Sequence, residues 1–253
     1  MKMANSKSWE KICTDLKILN HDFNNGPFKI TAKDIKTSCQ NFTKTNEKEV
    51  RILCKQDKRE NRPQIFQDND LFILPIKNGE YCIVKGEGYF DIPEIESEIL
   101  YDSKLNFELV SSKIGNSEMQ HLDFAYASSI IRTFMNDDSL VLTIRGRKYT
   151  PEFKFRVNGQ EIMVKGVQTE VDAGYEGKEQ IVLVEAKSAS SRNSIIRQLY
   201  YPYKKWSIET NKKISLLFFE KNESHYNIWE YKFRNEDDYN SIYLVKSERY
   251  RLK

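Results

Sequence analysis

Residues 168–187 read QTEVDAGYEGKEQIVLVEAK, and the fold class turns on how this stretch pairs with itself. Residues 181–184 form a short, wholly apolar run, the pattern of a strand covered on both faces. Glu185 and Lys187 follow it directly. Being two apart on a strand, they share one face, and Glu170 and Asp172 share a face by the same rule. An antiparallel hairpin centred between Lys178 and Glu179 sets Asp172 opposite Glu185 and Glu170 opposite Lys187. Directly opposed residues have Cβ atoms about 4.5–5.5 Å apart, so two carboxylates and a lysine converge. A slip of one residue would turn every side chain to the other face, which makes this expectation specific.

A Glu-x-Lys triplet is common on solvated strands and helices. Here it directly follows a buried run, where unpaired charge is costly, and it meets an acidic residue thirteen positions earlier. Two carboxylates held close repel unless a cation or a proton sits between them. Oxygen donors favour a hard ion such as Mg²⁺, which keeps several waters and binds phosphate oxygens. Such an ion lowers the pKa of a bound water and stabilises charge on a phosphoryl oxygen. A neighbouring lysine orients the attacking water or stabilises the developing charge. That set suits phosphodiester hydrolysis.

The periodicity on either side predicts an α/β or α+β domain around a mixed sheet. Upstream, 117–136 reads as a helix, 140–144 and 153–157 as strands, Asn158-Gly159 as a two-residue turn, and 162–171 as a third strand. Downstream, 194–208 reads as a helix and 214–219, 226–233 and 242–250 as strands. The polar stretch 91–116 marks the junction between an N-terminal region, 1–100, and a catalytic region, 101–253. In the first region 8–20, 31–42 and 47–58 read as helices, the second opened by a capping-box pair, Thr31 and Asp34. Residues 71–76 and 81–84 flank Asn78-Gly79 as a hairpin. Three helices and a hairpin suit a winged-helix module.

Composition narrows the function classes. The 253 residues carry 40 Lys+Arg and 37 Asp+Glu, a net charge of +3, too mild to imply a polyanion partner by itself. With 14 Tyr, 14 Phe and 3 Trp, the chain has bulk for a core, so disorder is not expected. No apolar run approaches the length of a membrane span. The four cysteines (13, 39, 54 and 82) form no C-x-x-C pair, so a zinc site is not expected. The three histidines (21, 121 and 225) are scattered, and catalysis should rest on carboxylates and lysine. With a polar 1–11 and thiols read as reduced, a cytoplasmic location is expected.

At residues 172–187 the sequence resembles the PD-(D/E)xK nuclease superfamily, and within it type II restriction endonucleases. Asp172 matches the first acid and Glu185-Ala186-Lys187 the triplet, while Val171 stands where Pro is commonly written. The resemblance implies a restriction-endonuclease-like core: a mixed sheet flanked by helices. It implies that Asp172, Glu185 and the Ala186 carbonyl ligate Mg²⁺ and that Lys187 assists the water. Glu170 is a further candidate ligand or a partner for Lys187, or else an exposed strand carboxylate. In many relatives the helix after the triplet lines the active site. Gln198 and Arg197 are therefore candidates for water or phosphate contacts, with Arg192 as a further DNA contact. Some relatives carry a helical acid on the preceding helix, where this chain has Glu118 and Asp123.

Two basic stretches are candidates for DNA contact. Lys55, Lys58, Arg59 and Arg62, preceded by Arg51, fall in the third N-terminal helix region. Arg145, Arg147 and Lys148 fall in a loop between strands. The leading expectation is a Mg²⁺-dependent type II restriction endonuclease that cuts double-stranded DNA at a specific sequence. It would act as a homodimer matching a two-fold site. The chain lacks a G-x-x-x-x-G-K-S/T run, so no nucleotide cofactor is expected. A structure-specific repair or junction nuclease would use the same core. A non-catalytic DNA-binding regulator would instead rest on the N-terminal region, with the acidic cluster as solvated surface.

Overall fold

The structure, a computed structural model, describes residues 5–111, 114–187 and 190–253. The N-terminal part opens with helix α1 (Ser6–Asp15), strand β1 (Phe28–Thr31) and helix α2 (Ala32–Ser38). Thr31 and Asp34 cap α2 reciprocally in a full capping box, as their spacing requires. Three single-turn helices follow: α3 (Thr45–Lys48), α4 (Val50–Leu53) and α5 (Gln64–Gln67). Then comes the hairpin of β2 (Leu71–Lys77) and β3 (Glu80–Lys85), and the sheet order is β1-β3-β2.

The long helix expected over 47–58 does not form. Glu49 has an extended backbone (φ −77°, ψ 114°) and parts α3 from α4. That turn sends Val50 and Leu53 into a core with Trp9, Ile35 and Phe66. Burying two side chains outweighs an unbroken run of helical hydrogen bonds, which are worth little without packing.

The larger part contributes β4 (Tyr89–Asp91), β5 (Glu98–Tyr101), α6 (Glu118–Ala127), α7 (Ile130–Met135), β6 (Val141–Tyr149), β7 (Phe153–Val157) and β8 (Gln160–Val164). It continues with β9 (Gln168–Glu176), β10 (Gln180–Lys187), β11 (Asn193–Ile195), α8 (Arg197–Glu209), β12 (Lys213–Asn222), β13 (His225–Phe233) and β14 (Ile242–Leu252). Seven strands form one mixed sheet in the order β5-β14-β13-β12-β10-β9-β6. It is antiparallel except where β10 runs beside β12 and β14 beside β5. Helices α6 and α7 cover one face through Leu122, Ile130 and Phe134. Helix α8 covers the other through Leu199, Tyr200 and Tyr201, together with β2, β3, β7 and β8. A mixed sheet with helices on both faces is thus present.

Several elements depart from the periodicity reading. The helix over 117–136 is two helices, because Ser129 adopts φ 66° between them. The strand over 162–171 is likewise split at 165–167, where Gly166 has φ 65°. The expected loop carrying Arg145, Arg147 and Lys148 is the second half of β6, paired with β9. Strands β1, β4, β5 and β11 have no clear signal: each is three or four residues long and is held by a partner distant in sequence.

Candidate active site

The site begins with the β9–β10 hairpin. Its ladder pairs Ile181 with Glu176, Val182 with Tyr175, Leu183 with Gly174 and Val184 with Ala173. This is the register that sets Asp172 against Glu185. The turn is closed by the Gly177 N–H donating to the Gln180 carbonyl at 2.8 Å. The ladder ends at Ala173, and the cause lies on the other side of β9. Against β6, Ile144 pairs with Gly174 but Gly146 pairs with Val171, so β9 carries an extra residue there, a β-bulge. Val171 consequently packs on the α8 face and Ala173 on the α6 face, although they are two apart. Asp172 lies in the bulge. Its Oδ2 accepts a hydrogen bond from the Ala186 N–H at 2.8 Å, which ties the first acid to the middle of the triplet.

Glu185 is buried, and Lys187 donates to its Oε1 in a close ion pair. Burial pushes the Glu185 carboxyl up to about 7; Lys187 opposes this and the nearby Asp172 adds to it. Burial also raises Asp172, against the Ala186 N–H and the charge of Lys187, with Glu118 adding to the rise. Burial alone would lower Lys187, but Glu185, Asp172 and Glu118 hold it above its ordinary value. Glu118, at the start of α6, therefore belongs to the same electrostatic neighbourhood. Asp123 does not, since it is engaged by Arg145.

These groups floor a cleft of about 680 Å³ in which Asp172, Glu185, Lys187, Glu118, Glu170 and Gln198 meet the N-terminal part. From that side Arg51, Lys55, Asp57 and the hairpin tip at Lys77 line the same cleft. Among the described residues no three His, Cys, Asp or Glu side chains are grouped so as to hold a metal ion. Asp172 and Glu185 are the two acids of the cleft that the hairpin register sets beside each other, and their oxygens could serve a cation. That set matches an ion which keeps most of its own waters.

A family model described as Domain of unknown function (DUF6997) matches residues 84–251, well over half of the chain. The chain belongs to the DUF6997 family. A second model, Domain of unknown function (DUF6996), matches residues 6–83 and covers the N-terminal helices and hairpin up to β3. The boundary between the two falls inside β3, so the DUF6997 portion takes in β4 and β5 as well as the large sheet. No curated protein and no solved structure matches the chain.

The other candidates fall into three groups. Some line the cleft: Arg147, which is paired to Glu170 at 3.2 Å, Arg197, which is held to Asp57 at 3.4 Å, and Lys55, which is 3.9 Å from Asp57. Glu170 lies beyond the end of the β9–β10 ladder and faces Arg147, so it is not set opposite Lys187. Others hold the fold together. Arg59 bridges Glu87 and Asp91, and Arg62 donates to the Leu71 carbonyl and lies over the Tyr89 ring. Arg145 also belongs here, through Asp123. The rest lie outside the cleft lining: Lys58 is half-buried, and Lys148 and Arg192 are exposed.

Two groups escaped the sequence reading. Asp57 sits between Lys55 and Lys58 in the basic stretch, and its charge reaches Glu185 from the N-terminal part. Glu220 is buried, and its neighbour in the parallel ladder is Lys187. It accepts from the Ser191 N–H at 2.7 Å. Its signal was available: like Glu185, it directly follows a wholly apolar run, Leu216-Leu-Phe-Phe219.

Proposed function

We propose that this protein is a metal-dependent nuclease that hydrolyses phosphodiester bonds in double-stranded DNA, as type II restriction endonucleases do. The reading rests on one observation: Asp172, Glu185 and Lys187 meet at the floor of a cleft through the hairpin register and the Asp172–Ala186 hydrogen bond. Asp172 and Glu185, with the Ala186 carbonyl, would hold Mg²⁺, which supplies positive charge against a phosphoryl oxygen. Lys187, a cation held above its ordinary pKa, orients the attacking water and stabilises negative charge as it develops. The water oxygen forms a bond to phosphorus as one P–O ester bond breaks, and the proton that the water loses to solvent is matched by one that the departing oxygen takes up. Arg147 and Arg197 stand at the cleft wall, each loosely paired, and can turn to a phosphate. A homodimer matched to a two-fold site is part of the proposal.

The test is incubation of the protein with phage DNA and Mg²⁺. Discrete fragments are expected, and Glu185→Ala should abolish them while DNA binding persists. A smear would point to a nuclease without sequence preference. Intact DNA with retained binding would overturn the proposal and leave the chain a DNA-binding regulator.

A further inference from the structure

Helix α8 carries a proline, Pro202, in its interior. Having no N–H, Pro202 cannot donate to the carbonyl four residues back, and its ring presses that carbonyl out of line. The carbonyl belongs to Gln198. The Gln198 side chain is engaged elsewhere, since the Ser194 Oγ donates to its Oε1 at 2.5 Å. Pro202 and Gln198 both line a small void between α8 and the sheet, of about 10 Å³, room for one water molecule. Val171, Leu183, Leu199 and Leu216 close it, and Glu185 borders it. Leu183 and Glu185 are two apart on β10 and share the face turned to α8. Glu185 and Gln198 also line the acidic cleft, so the two spaces meet at Glu185. Buried carboxylates need hydrogen-bond donors, and Lys187 supplies one at the Glu185 Oε1.

We propose that this void is a site for one water molecule, which donates one hydrogen to the Glu185 carboxylate and the other to the Gln198 carbonyl that Pro202 leaves without its helical donor. Two polar partners are the least that a buried water requires, and the rest of the void is apolar. Pro202 and Gln198 are then positioning residues. An ionised carboxylate has about four lone-pair sites. With one fixed from the α8 side and Lys187 on Oε1, the plane of the Glu185 carboxylate is set, and its remaining lone pairs are left for the cation shared with Asp172. Hydrogen bonds of this kind orient a metal-ligating carboxylate, and their loss typically costs about 10–100-fold in metal affinity or activity. This inference rests on the metal-binding reading of Asp172 and Glu185.

The experiment pairs a crystal structure of the full chain, at a resolution that shows ordered water, with calorimetric titration by Mn²⁺, a hard ion that takes the same oxygen donors as Mg²⁺. The expected result is density for one water between Glu185 and the Gln198 carbonyl. Two variants remove it by different routes. Val171→Ile puts a methyl group into the void. Pro202→Ala returns an N–H to the Gln198 carbonyl, so the water loses an acceptor. Each should lose the water and weaken Mn²⁺ binding by roughly 10–100-fold, with the far-ultraviolet circular dichroism of the wild type. A dry void in the wild-type chain, a water that survives Pro202→Ala, or wild-type Mn²⁺ affinity in a variant that has lost the water would overturn the inference. The two readings fail separately. Mg²⁺-dependent cleavage beside a dry void removes only the water site, and a bridging water without cleavage removes only the nuclease.

Discussion

Glu185 and Glu176 lie at opposite ends of the same hairpin, and their surroundings differ. Glu176 is paired with Lys212 at 2.6 Å and half exposed, so Glu176→Ala should cost at most about 1 kcal/mol and leave cleavage unchanged. Lys187 is partly buried beside two acids. Lys187→Ala should lower the cleavage rate by roughly 10²–10⁴-fold and leave metal affinity close to wild type, since an ammonium is not a ligand. Single-turnover cleavage and metal titration of the two variants check this; a Lys187→Ala enzyme that cuts at the wild-type rate rejects the role. Glu220 gives a second test at this scale. Burial lifts its carboxyl to about 7, against the Ser191 N–H and the charge of Lys58. The folded chain therefore binds a proton that the unfolded chain releases at its ordinary carboxylate pKa. Stability then falls as pH rises from about 4.5 to about 7. Glu220→Gln keeps an acceptor for Ser191 and removes the titration. Unfolding free energies from urea titrations should drop less across that window in the variant, by on the order of 1–3 kcal/mol. Equal slopes for the two proteins would refute the assignment.

Among elements, those set by local pattern were legible and those set by distant partners were not. The β9–β10 register followed from one apolar run, a turn and the alternation of charge, all within twenty residues. The β7–β8 hairpin was legible at its turn, where Asn158 and Gly159 both adopt positive φ, as a two-residue turn demands. The bulge in β9 was not legible, because it answers to β6, whose backbone turns at Gly146 with φ 78°. For that reason the i, i+2 rule groups Glu170 with Asp172, and the bulge suspends that rule. Likewise the basic spacing makes Arg59 and Arg62 candidates for DNA contact, and it carries no sign of the partners they have across the fold at Glu87, Asp91 and Leu71. The bulge itself can be tested. A Cβ on Gly174 would lie 2.6 Å from the Ile144 Cβ, closer than two carbons can approach. Gly174→Ala should therefore destabilise by about 1–3 kcal/mol and shift Asp172 away from Ala186. Cleavage should fall even at temperatures where the variant is fully folded. Full activity in a folded Gly174→Ala protein would mean that the bulge does not position the acid.

At the scale of the whole molecule, the two family matches meet at residues 83 and 84, yet the cores do not divide there. Phe72, Leu74 and Cys82, all from the N-terminal portion, are buried in the same cluster as Phe155, Leu199 and Phe218. Polar ties reinforce the seam. The Tyr201 hydroxyl donates to the Pro75 carbonyl at 2.9 Å, the Ile195 N–H to the Asp57 carbonyl at 2.9 Å, and Asn193 joins the Arg59 N–H to Glu60. The last of these ties land on β11, the strand that follows Lys187. A seam so well packed should make unfolding cooperative across both portions. The tryptophans allow a direct check. Trp9 is buried in the N-terminal core, while Trp206 and Trp229 pack with the large sheet. In a Trp206→Phe, Trp229→Phe protein, fluorescence reports the N-terminal core alone, while far-ultraviolet circular dichroism follows the whole chain. The two urea transitions should coincide in midpoint. If the Trp9 signal is lost first, the N-terminal portion is an independent unit. The cleft it shares with Asp172, Glu185 and Lys187 would then open and close without unfolding the sheet.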